Sequence, residues 1–321
     1  MKNNWKKAAA LLGLGALLLG LTGCAQKKEP IELTVWTYYN GEQLGAFNEA
    51  VEAFNATEGK NNNIIVSASS LGSVNDLEQN VMDALQGKVG AQKVPDIFSA
   101  YADTAYAVDN MGRAADLSPY LTDKDKKEYI QSYLTEGDFK DDGSIKVFPV
   151  AKATELLVVN DTDWQKFAEA TGTSADEFAT IEGLTAMVQR YYEWTDSLTE
   201  EPNDGRALFG RDAMANYMII GAKQLGYDIF ETADGKTTVN LPRDVAKKLW
   251  DNYYVPYVKG FFASSGRFRS DDMKTGNVLA FVGSSAGCTF FPDHVTNGDG
   301  DSYDIEVKTY QAPKFEGGAD Y

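Results

Sequence analysis

Histidine and cysteine are scarce: the chain of 321 residues contains one His and two Cys. A structural zinc site combines four Cys or His ligands at characteristic spacings, and this sequence has no such set. It also lacks a glycine-rich phosphate-binding loop. We therefore expect no metal and no cofactor. The two cysteines are Cys24 and Cys288, so modification of Cys24 would prevent an internal disulfide and leave stability to packed cores.

Positive charge is also in short supply, because 30 Lys and Arg residues face 47 Asp and Glu residues. The formal net charge is -17, and removal of residues 1–23 leaves 27 basic residues and a charge of -20. Such a surface repels both the phosphates of nucleic acid and anionic lipid headgroups. The charge therefore predicts no nucleic-acid partner, and any membrane contact is expected through an anchor alone.

Long apolar runs are rare, and the longest uncharged one covers residues 8–21 after three early lysines. It is short for a hydrocarbon core of about 30 Å, so residues 1–23 are predicted to be a signal peptide. Leu21-Thr22-Gly23-Cys24 resembles the lipidation box of bacterial lipoproteins, in which the Cys receives a diacylglycerol. Two or more acyl chains anchor a protein stably. Cleavage nearby with an unmodified Cys24 is the alternative, and residues 24–30 are interpreted as a tether.

About 300 residues remain, which is enough for two domains. The first half alternates strands and helices, with strands at Ile31 to Thr37, Ile64 to Ser67 and Asp96 to Ser99. This order favours a parallel sheet covered by helices. The second half is richer in helical patterns. Helices are predicted at 44–54, 74–85, 102–111, 122–133, 163–170, 180–194, 211–225 and 242–254, and later strands at 278–282 and 305–311. Ser73, with Asp76 three residues later, is placed to cap the helix at 74–85.

The stretch from Ile145 to Trp164 predicts where the two halves join. Its apolar runs Val147–Val150 and Leu156–Val159 favour buried strands, with a small polar segment between them. A crossing between two sheets and a strand, loop and strand within one sheet fit this pattern equally well. Taken as a crossing, it predicts lobe 1 at 31–149, a hinge at 150–160, lobe 2 at 161–277 and return strands at 278–321.

Several motifs occur in a fixed order: LTVWTYYNGEQ from Leu33, DIFSAYADTA from Asp96, DLSPYL from Asp116, FPVAKATELLVVND from Phe148 and GNVLAFVGSSAG from Gly276. Together with the lipidation box, they make the chain similar to the extracellular solute-binding proteins of ATP-binding-cassette importers. The similarity is to the group that includes maltose- and glycerol-phosphate-binding proteins.

This resemblance implies an α/β, two-lobe, periplasmic-binding-protein-like fold of type II, whose lobes close about a hinge on a small solute. It implies a carbohydrate or glycerol phosphodiester ligand, permease partners, a monomer and no catalysis. The location would be the extracytoplasmic face of the bacterial cell membrane. A sensor that reports ligand occupancy to a signalling partner fits equally well. Relatives continue with a further helical block, so the C-terminal part is expected to be truncated.

Ligands of α/β sheets bind at the carboxyl ends of strands, and aromatic faces beside polar groups suit sugar rings. For the aromatic candidates the alternative is burial in a core; for the crossing residues it is a solvated loop, and for the arginine a surface ion pair. The candidates are Trp36, Tyr38, Tyr39 and Asn40 after the first strand, Tyr101 and Asp103 after the third, Thr154 and Glu155 at the crossing, Arg211, and Ser284 and Ser285 after the strand at 278–282.

Gly283-Ser284-Ser285-Ala286-Gly287 matches the G-x-S-x-G pattern of serine hydrolases. His294 follows Ser285 by only nine residues, which leaves no room for the intervening acid, so hydrolysis is disfavoured. The segment 297–304 is rich in Asp and invites a calcium site. Ser302 and Lys308 stand where an EF-hand needs Gly and Glu, so an acidic turn is the preferred interpretation and calcium stays open.

Overall fold

The structure is a computed structural model that describes residues 29–233, 236–298 and 300–320. The predicted signal peptide at 1–23 and Cys24 lie outside these residues, as does Asp299. The chain divides into two compact units, unit 1 ending at Val150 and unit 2 beginning at Ala151.

Unit 1 is built on a parallel sheet of β1 (Ile31–Thr37), β2 (Ile64–Ser70) and β3 (Ile97–Phe98), with β1 in the centre. The predicted parallel sheet is confirmed, although its third strand is shorter than expected. The helices are α1 (Gly41–Phe54), which continues through turns at Asn55–Gly59 and Lys60–Asn62, α2 (Val74–Leu85), α3 (Ala102–Asn110), α4 (Asp123–Lys127) and α5 (Gln131–Leu134), with 3-10 turns at Ser118–Tyr120 and Thr135–Gly137.

Helix α2 begins at a capping residue and buries one face. The hydroxyl of Ser73 accepts the backbone N–H of Asp76 at 3.1 Å, as the sequence predicts. Such a cap stabilises a helix by about 1 kcal/mol. On the inner face, Leu77 and Val81 are buried in the cluster that also contains Trp36. This cluster is the core of unit 1.

The outer edge of β2 is closed by a side chain. The amide of Asn55 donates from Nδ2 to the carbonyl of Val66 and accepts the N–H of Val66 at Oδ1, both at 2.8 Å. A neighbouring strand would satisfy the same two backbone groups. Asn55 therefore takes the place of one rung of a further strand.

Two predictions for unit 1 are wrong. Val147–Val150 forms no strand, and Val150 is 76% exposed. Pro149 lacks the backbone N–H that a strand ladder uses. The helix predicted at 122–133 breaks into α4 and α5, with an extended backbone at Ile130, whose side chain is 61% exposed. The lysine-rich segment before Ile130 has too few apolar residues to hold a longer helix against a core.

Unit 2 contains a four-stranded mixed sheet in the order β11-β4-β8-β5. Its strands are β4 (Glu155–Asn160), β5 (Phe209–Arg211), β8 (Ala280–Ser284) and β11 (Val307–Gln311). Strand β4 is antiparallel to both neighbours, and β5 is parallel to β8. Two hairpins complete the strands, β6 (Phe230–Ala233) with β7 (Lys236–Val239), and β9 (His294–Thr296) with β10 (Ser302–Asp304).

The helices of unit 2 pack on this sheet. They are α6 (Asp161–Thr171), α7 (Ile181–Asp196), α8 (Met214–Gln224), α9 (Arg243–Asp251), α10 (Tyr254–Val258) and α11 (Arg269–Lys274), with 3-10 turns at Ala175–Ala179 and Ser285–Phe290.

Strand β4 is buried on both faces. Leu157 and Val159 belong to one core cluster with Phe167 of α6, whereas Val158 belongs to another with Phe281. A strand covered on both sides needs apolar residues at every position, not at alternate ones. This explains why Leu156–Val159 is an unbroken apolar run, and the prediction of a buried strand there is confirmed.

Several elements of unit 2 differ from the sequence-based predictions. The helix predicted at 211–225 begins at Met214, because Arg211 is the last residue of β5. The segment 266–276, for which no helix was predicted, contains α11. The strand predicted at 278–282 is displaced to 280–284, and the one at 305–311 begins at Val307. Strand β5 was not predicted, since three residues are too few to show a period.

Candidate functional site

Tyrosines gather at the carboxyl edge of the sheet in unit 1. Strands β1 and β3 run parallel, so Tyr38 after β1 and Tyr101 after β3 emerge at the same edge. Their hydroxyls form a hydrogen bond, and burial together with Tyr101 raises the pKa of Tyr38 to about 12. Tyr101 is 57% exposed. Tyr38 thus holds Tyr101 while the ring of Tyr101 faces solvent.

Tyr39 and Asn40 extend this edge. The ring of Tyr39 lies 5.4 Å from the ring of Tyr38 and 5.4 Å from that of Phe47. The Nδ2 of Asn40 donates to the carbonyl oxygens of Tyr38 and Gly72, at 2.8 and 2.7 Å. Asn40 therefore ties together the loops that follow β1 and β2, which fixes the backbone that carries the tyrosines.

Trp36 and Asp103 occupy different environments. Trp36 is 5% exposed and packs in the core cluster with Val108, which is the alternative that the sequence left open for it. Asp103 is exposed in the first turn of α3, where the helix dipole favours an acid, and its Oδ1 accepts the N–H of Thr104 at 2.8 Å. Of these two residues, only Asp103 presents a polar group at the surface.

In unit 2, Glu155 and Arg211 come together beside β8. Glu155 opens β4 opposite Ser284, and Arg211 ends β5 opposite Val282. Their side chains form a salt bridge of 3.1 Å between Nη1 and Oε2, and the other carboxylate oxygen accepts Nδ2 of Asn216 at 3.0 Å. Glu155 and Arg211 are only 12% and 4% exposed. Glu155 is therefore not the solvated loop residue that was one of its alternatives.

Aromatic rings enclose Arg211. Its guanidinium carbon lies 5.8 Å from the ring centre of Phe209 and 5.0 Å from that of Tyr217. Burial lowers the pKa of Arg211, and the charge of Glu155 opposes that shift. Among the described residues, Nε of Arg211 has no hydrogen-bond partner. The pairing with an acid was anticipated as an alternative, but it occurs inside the unit rather than at its surface.

Thr154 and Ser285 are joined by two hydrogen bonds. Ser285 donates its N–H to the carbonyl of Thr154 at 2.7 Å, and its Oγ accepts the N–H of Thr154 at 3.1 Å. The Oγ of Ser284 accepts the N–H of Ala286 at 3.2 Å and caps the following 3-10 turn. These three residues hold the carboxyl end of β8 against the start of β4.

The hydrolase alternative finds little support in this geometry. The Oγ of Ser285 accepts a backbone N–H, whereas a nucleophile donates to a base. The imidazole of His294 lies on β9, where it pairs with Asp293 at 2.7 Å. The hydroxyl of Ser285 and the imidazole of His294 thus each bond to a different group and not to one another.

Asp212 is a polar group at this edge that sequence reasoning missed. Its Oδ1 accepts the backbone N–H of Arg269 at 2.8 Å, and burial raises the pKa of Asp212 despite that bond. It lies behind Gly283, whose Cα has no side chain to displace the carboxylate. Asp212 directly follows Arg211, so it would have been a candidate site residue if β5 had been recognised as a strand.

Metal ligation has no candidate among the residues that the structure describes, since no three Asp, Glu, His or Cys side chains gather where an ion could bind. The acidic segment 297–304 joins β9 to β10, and Asp299 within it lies outside the described part of the chain. Within that same part, every helix is too short or too polar to span a bilayer.

A family model described as bacterial extracellular solute-binding protein matches residues 49–312. The chain belongs to this family. A comparison with curated proteins finds no match for this solute-binding protein.

Solved structures share the fold of this solute-binding protein at low sequence identity. A cyclic α-maltosyl-1,6-maltose-binding protein from Arthrobacter globiformis has a TM-score of 0.62 and 19% identity, over 90% of this chain and 67% of that one. A Mycobacterium tuberculosis protein in complex with glycerophosphocholine has a TM-score of 0.64 and 17% identity, over 90% and 66%. The GacH receptor of Streptomyces glaucescens, solved with acarbose, has a TM-score of 0.65 and 13% identity, over 91% and 69%. The matched region thus spans about two thirds of each neighbour.

Proposed function

We propose that this protein is a lipid-anchored extracellular receptor that captures a carbohydrate and delivers it to the permease of an ATP-binding-cassette importer. The family match over residues 49–312 carries this proposal, because the family consists of binding proteins rather than enzymes. The anchor would be an acylated Cys24, which places the receptor at the extracytoplasmic face of the cell membrane.

The choice of carbohydrate is supported by the groups that each unit presents. Unit 1 offers the exposed ring of Tyr101 next to the carboxylate of Asp103. Sugar rings have apolar CH faces that stack on aromatic rings and hydroxyl edges that bond to polar groups. Unit 2 offers the exposed side chain of Ser284 at the carboxyl end of β8, beside strand ends that the buried Glu155–Arg211 pair holds together.

Two of the structural neighbours are described with carbohydrate ligands and one with glycerophosphocholine. The panel to be tested contains acarbose and glycerophosphocholine from these neighbours, with maltotriose added as a neutral oligosaccharide. A receptor without catalytic activity should return the solute unchanged.

A thermal-shift panel tests this function. A solute that binds only the folded state stabilises it by about 2.7 kcal/mol at a hundredfold excess over its dissociation constant. We expect such a rise in melting temperature with an oligosaccharide, and chromatography of the incubated sugar should recover it intact. Failure of every solute in the panel to shift the transition, or conversion of the sugar to products, would overturn the proposal.

A further inference from the structure

Two carboxylates stand at the same edge of the unit 2 sheet, and their surroundings differ. Each oxygen of Glu155 already has a donor, one from Arg211 and one from Asn216. The charge of Glu155 is matched by that of Arg211 at 3.1 Å. Glu155 is thus satisfied within the protein and has little capacity left for a solute.

Asp212 lacks such compensation. Nε of Arg269 approaches its Oδ1 only to 3.7 Å, and this is the single salt bridge of Asp212 among the described residues. The guanidinium of Arg269 is engaged elsewhere, since it forms a buried salt bridge with Asp272 and donates to the carbonyls of Ala263 and Gly266. One cation therefore serves two acids, and Asp272 is the closer of them. A negative charge remains on Asp212.

The position of this charge depends on a glycine. A Cβ placed on Gly283 would lie 2.6 Å from Oδ2 of Asp212, well inside van der Waals contact. The absent side chain lets the carboxylate lie against the backbone of β8, one residue before Ser284. Oδ1 accepts the backbone N–H of Arg269, and the side chain of Asp212 is 26% exposed, so the carboxylate is open to a solute hydroxyl.

An uncompensated, half-buried carboxylate costs folding free energy unless a donor reaches it. The donors that a sugar supplies are hydroxyl groups, and hydrogen bonds to a charged acceptor are stronger than those between neutral groups. We propose that Asp212 is the residue of unit 2 that binds the solute directly, accepting hydrogen bonds from hydroxyls of a neutral sugar. This assignment rests on the proposed function and adds the acceptor within its site.

The test compares binding by three variants in isothermal titration calorimetry with maltotriose, or with whichever panel solute stabilises the wild type. Asp212→Asn keeps the shape and an acceptor for the Arg269 N–H, but it removes the charge. We expect it to lower affinity tenfold or more. Gly283→Ala leaves the charge and displaces the carboxylate, so it should lower affinity as well. Glu169→Gln removes one exposed acid of the same unit and should leave affinity unchanged.

The outcomes separate the two proposals. Wild-type affinity retained in Asp212→Asn and Gly283→Ala would overturn the role of Asp212 and leave the receptor function standing. A wild type that binds only glycerophosphocholine would overturn the neutral-sugar ligand. A wild type that binds nothing in the panel would overturn the proposed function and this assignment with it. Circular dichroism melts check the fold of each variant: Asp212→Asn and Glu169→Gln are expected to match the wild type or exceed it. Gly283→Ala is expected to melt cooperatively at a lower temperature, because its Cβ would also lie 3.1 Å from the ring of Phe281, so Asp212→Asn decides the test.

Discussion

The guanidinium of Arg211 lies 3.1 Å from the carboxylate of Glu155, and both side chains are almost fully buried although 56 residues separate them in the chain. The pair joins the end of β5 to the start of β4 across β8. Removal of one partner from a buried ion pair leaves an uncompensated charge, which costs far more than the pair itself contributes.

Glu155→Ala should therefore destabilise the protein by about 3 kcal/mol, because it leaves the buried Arg211 unpaired. Urea denaturation followed by circular dichroism measures the free energy of unfolding directly. Glu155→Gln, which keeps an acceptor for Asn216, should cost less. An unchanged unfolding midpoint for Glu155→Ala would show that Arg211 is not held by this pair.

Asp212→Asn should raise the melting temperature at pH 7. Burial raises the folded-state pKa of Asp212, so at pH values between the unfolded and the folded pKa the folded protein retains a proton that the unfolded chain has released. The contribution of Asp212 to stability therefore falls as pH rises from the unfolded value of about 3.9 through the folded value. The advantage of the Asn variant should shrink as pH is lowered towards about 4. Equal melting temperatures of variant and wild type at pH 7 would contradict this.

Tyr101→Ala should remove most of the ligand-induced thermal shift while leaving the melting temperature without ligand nearly unchanged. Its ring is mostly exposed, so truncation removes a stacking face and creates no cavity. The measurement is the thermal-shift panel with and without sugar. A full shift in the variant would remove Tyr101 from the proposed contacts.

Trp36→Ala serves as the comparison for Tyr101→Ala, because it removes an aromatic ring from the core of unit 1 instead of from the surface. It should lower the free energy of unfolding by about 3–5 kcal/mol, because it empties a packed cluster. Differential scanning calorimetry would report this without any ligand. A negligible change would mean that the Trp36 ring is not packed against α2.

Cys24→Ala should release the protein from the membrane fraction, because the proposed anchor is the lipid on the Cys24 sulfur. Mass spectrometry of the wild-type N-terminal peptide should show a diacylglycerol on Cys24. An unmodified Cys24 in the wild-type membrane fraction would contradict the proposed anchoring.

Elements with a strong apolar pattern were predictable. Strand β1 was predicted at its observed bounds, and Leu156–Val159 identified β4 because a doubly covered strand leaves an unbroken apolar run. Ser73 identified the start of α2 because the cap is a local hydrogen bond. These signals depend on residues close in sequence, which is why the sequence alone reveals them.

The candidate site was less accessible to sequence reasoning. Arg211 and Glu155 were both candidates, but their pairing depends on the order of strands in the sheet, which no local pattern contains. Asp212 was missed because β5 is only three residues long. Burial of Trp36 depended on helices more than 40 residues away, so its sequence position at a strand end was ambiguous.

The amide of Asn55 on the edge of β2 bears on how this protein reaches its native state. An exported chain folds outside the cytoplasm among other newly secreted chains, where an open strand edge can pair with a neighbour and start aggregation. Asn55 already occupies the N–H and C=O of Val66, and it lies only 11 residues before Val66 in the chain. This rung of the edge can thus be satisfied as soon as α1 and β2 meet, before the rest of the chain has arrived. A local contact of this kind leaves less of the strand edge open to other chains during folding as well as in the native state.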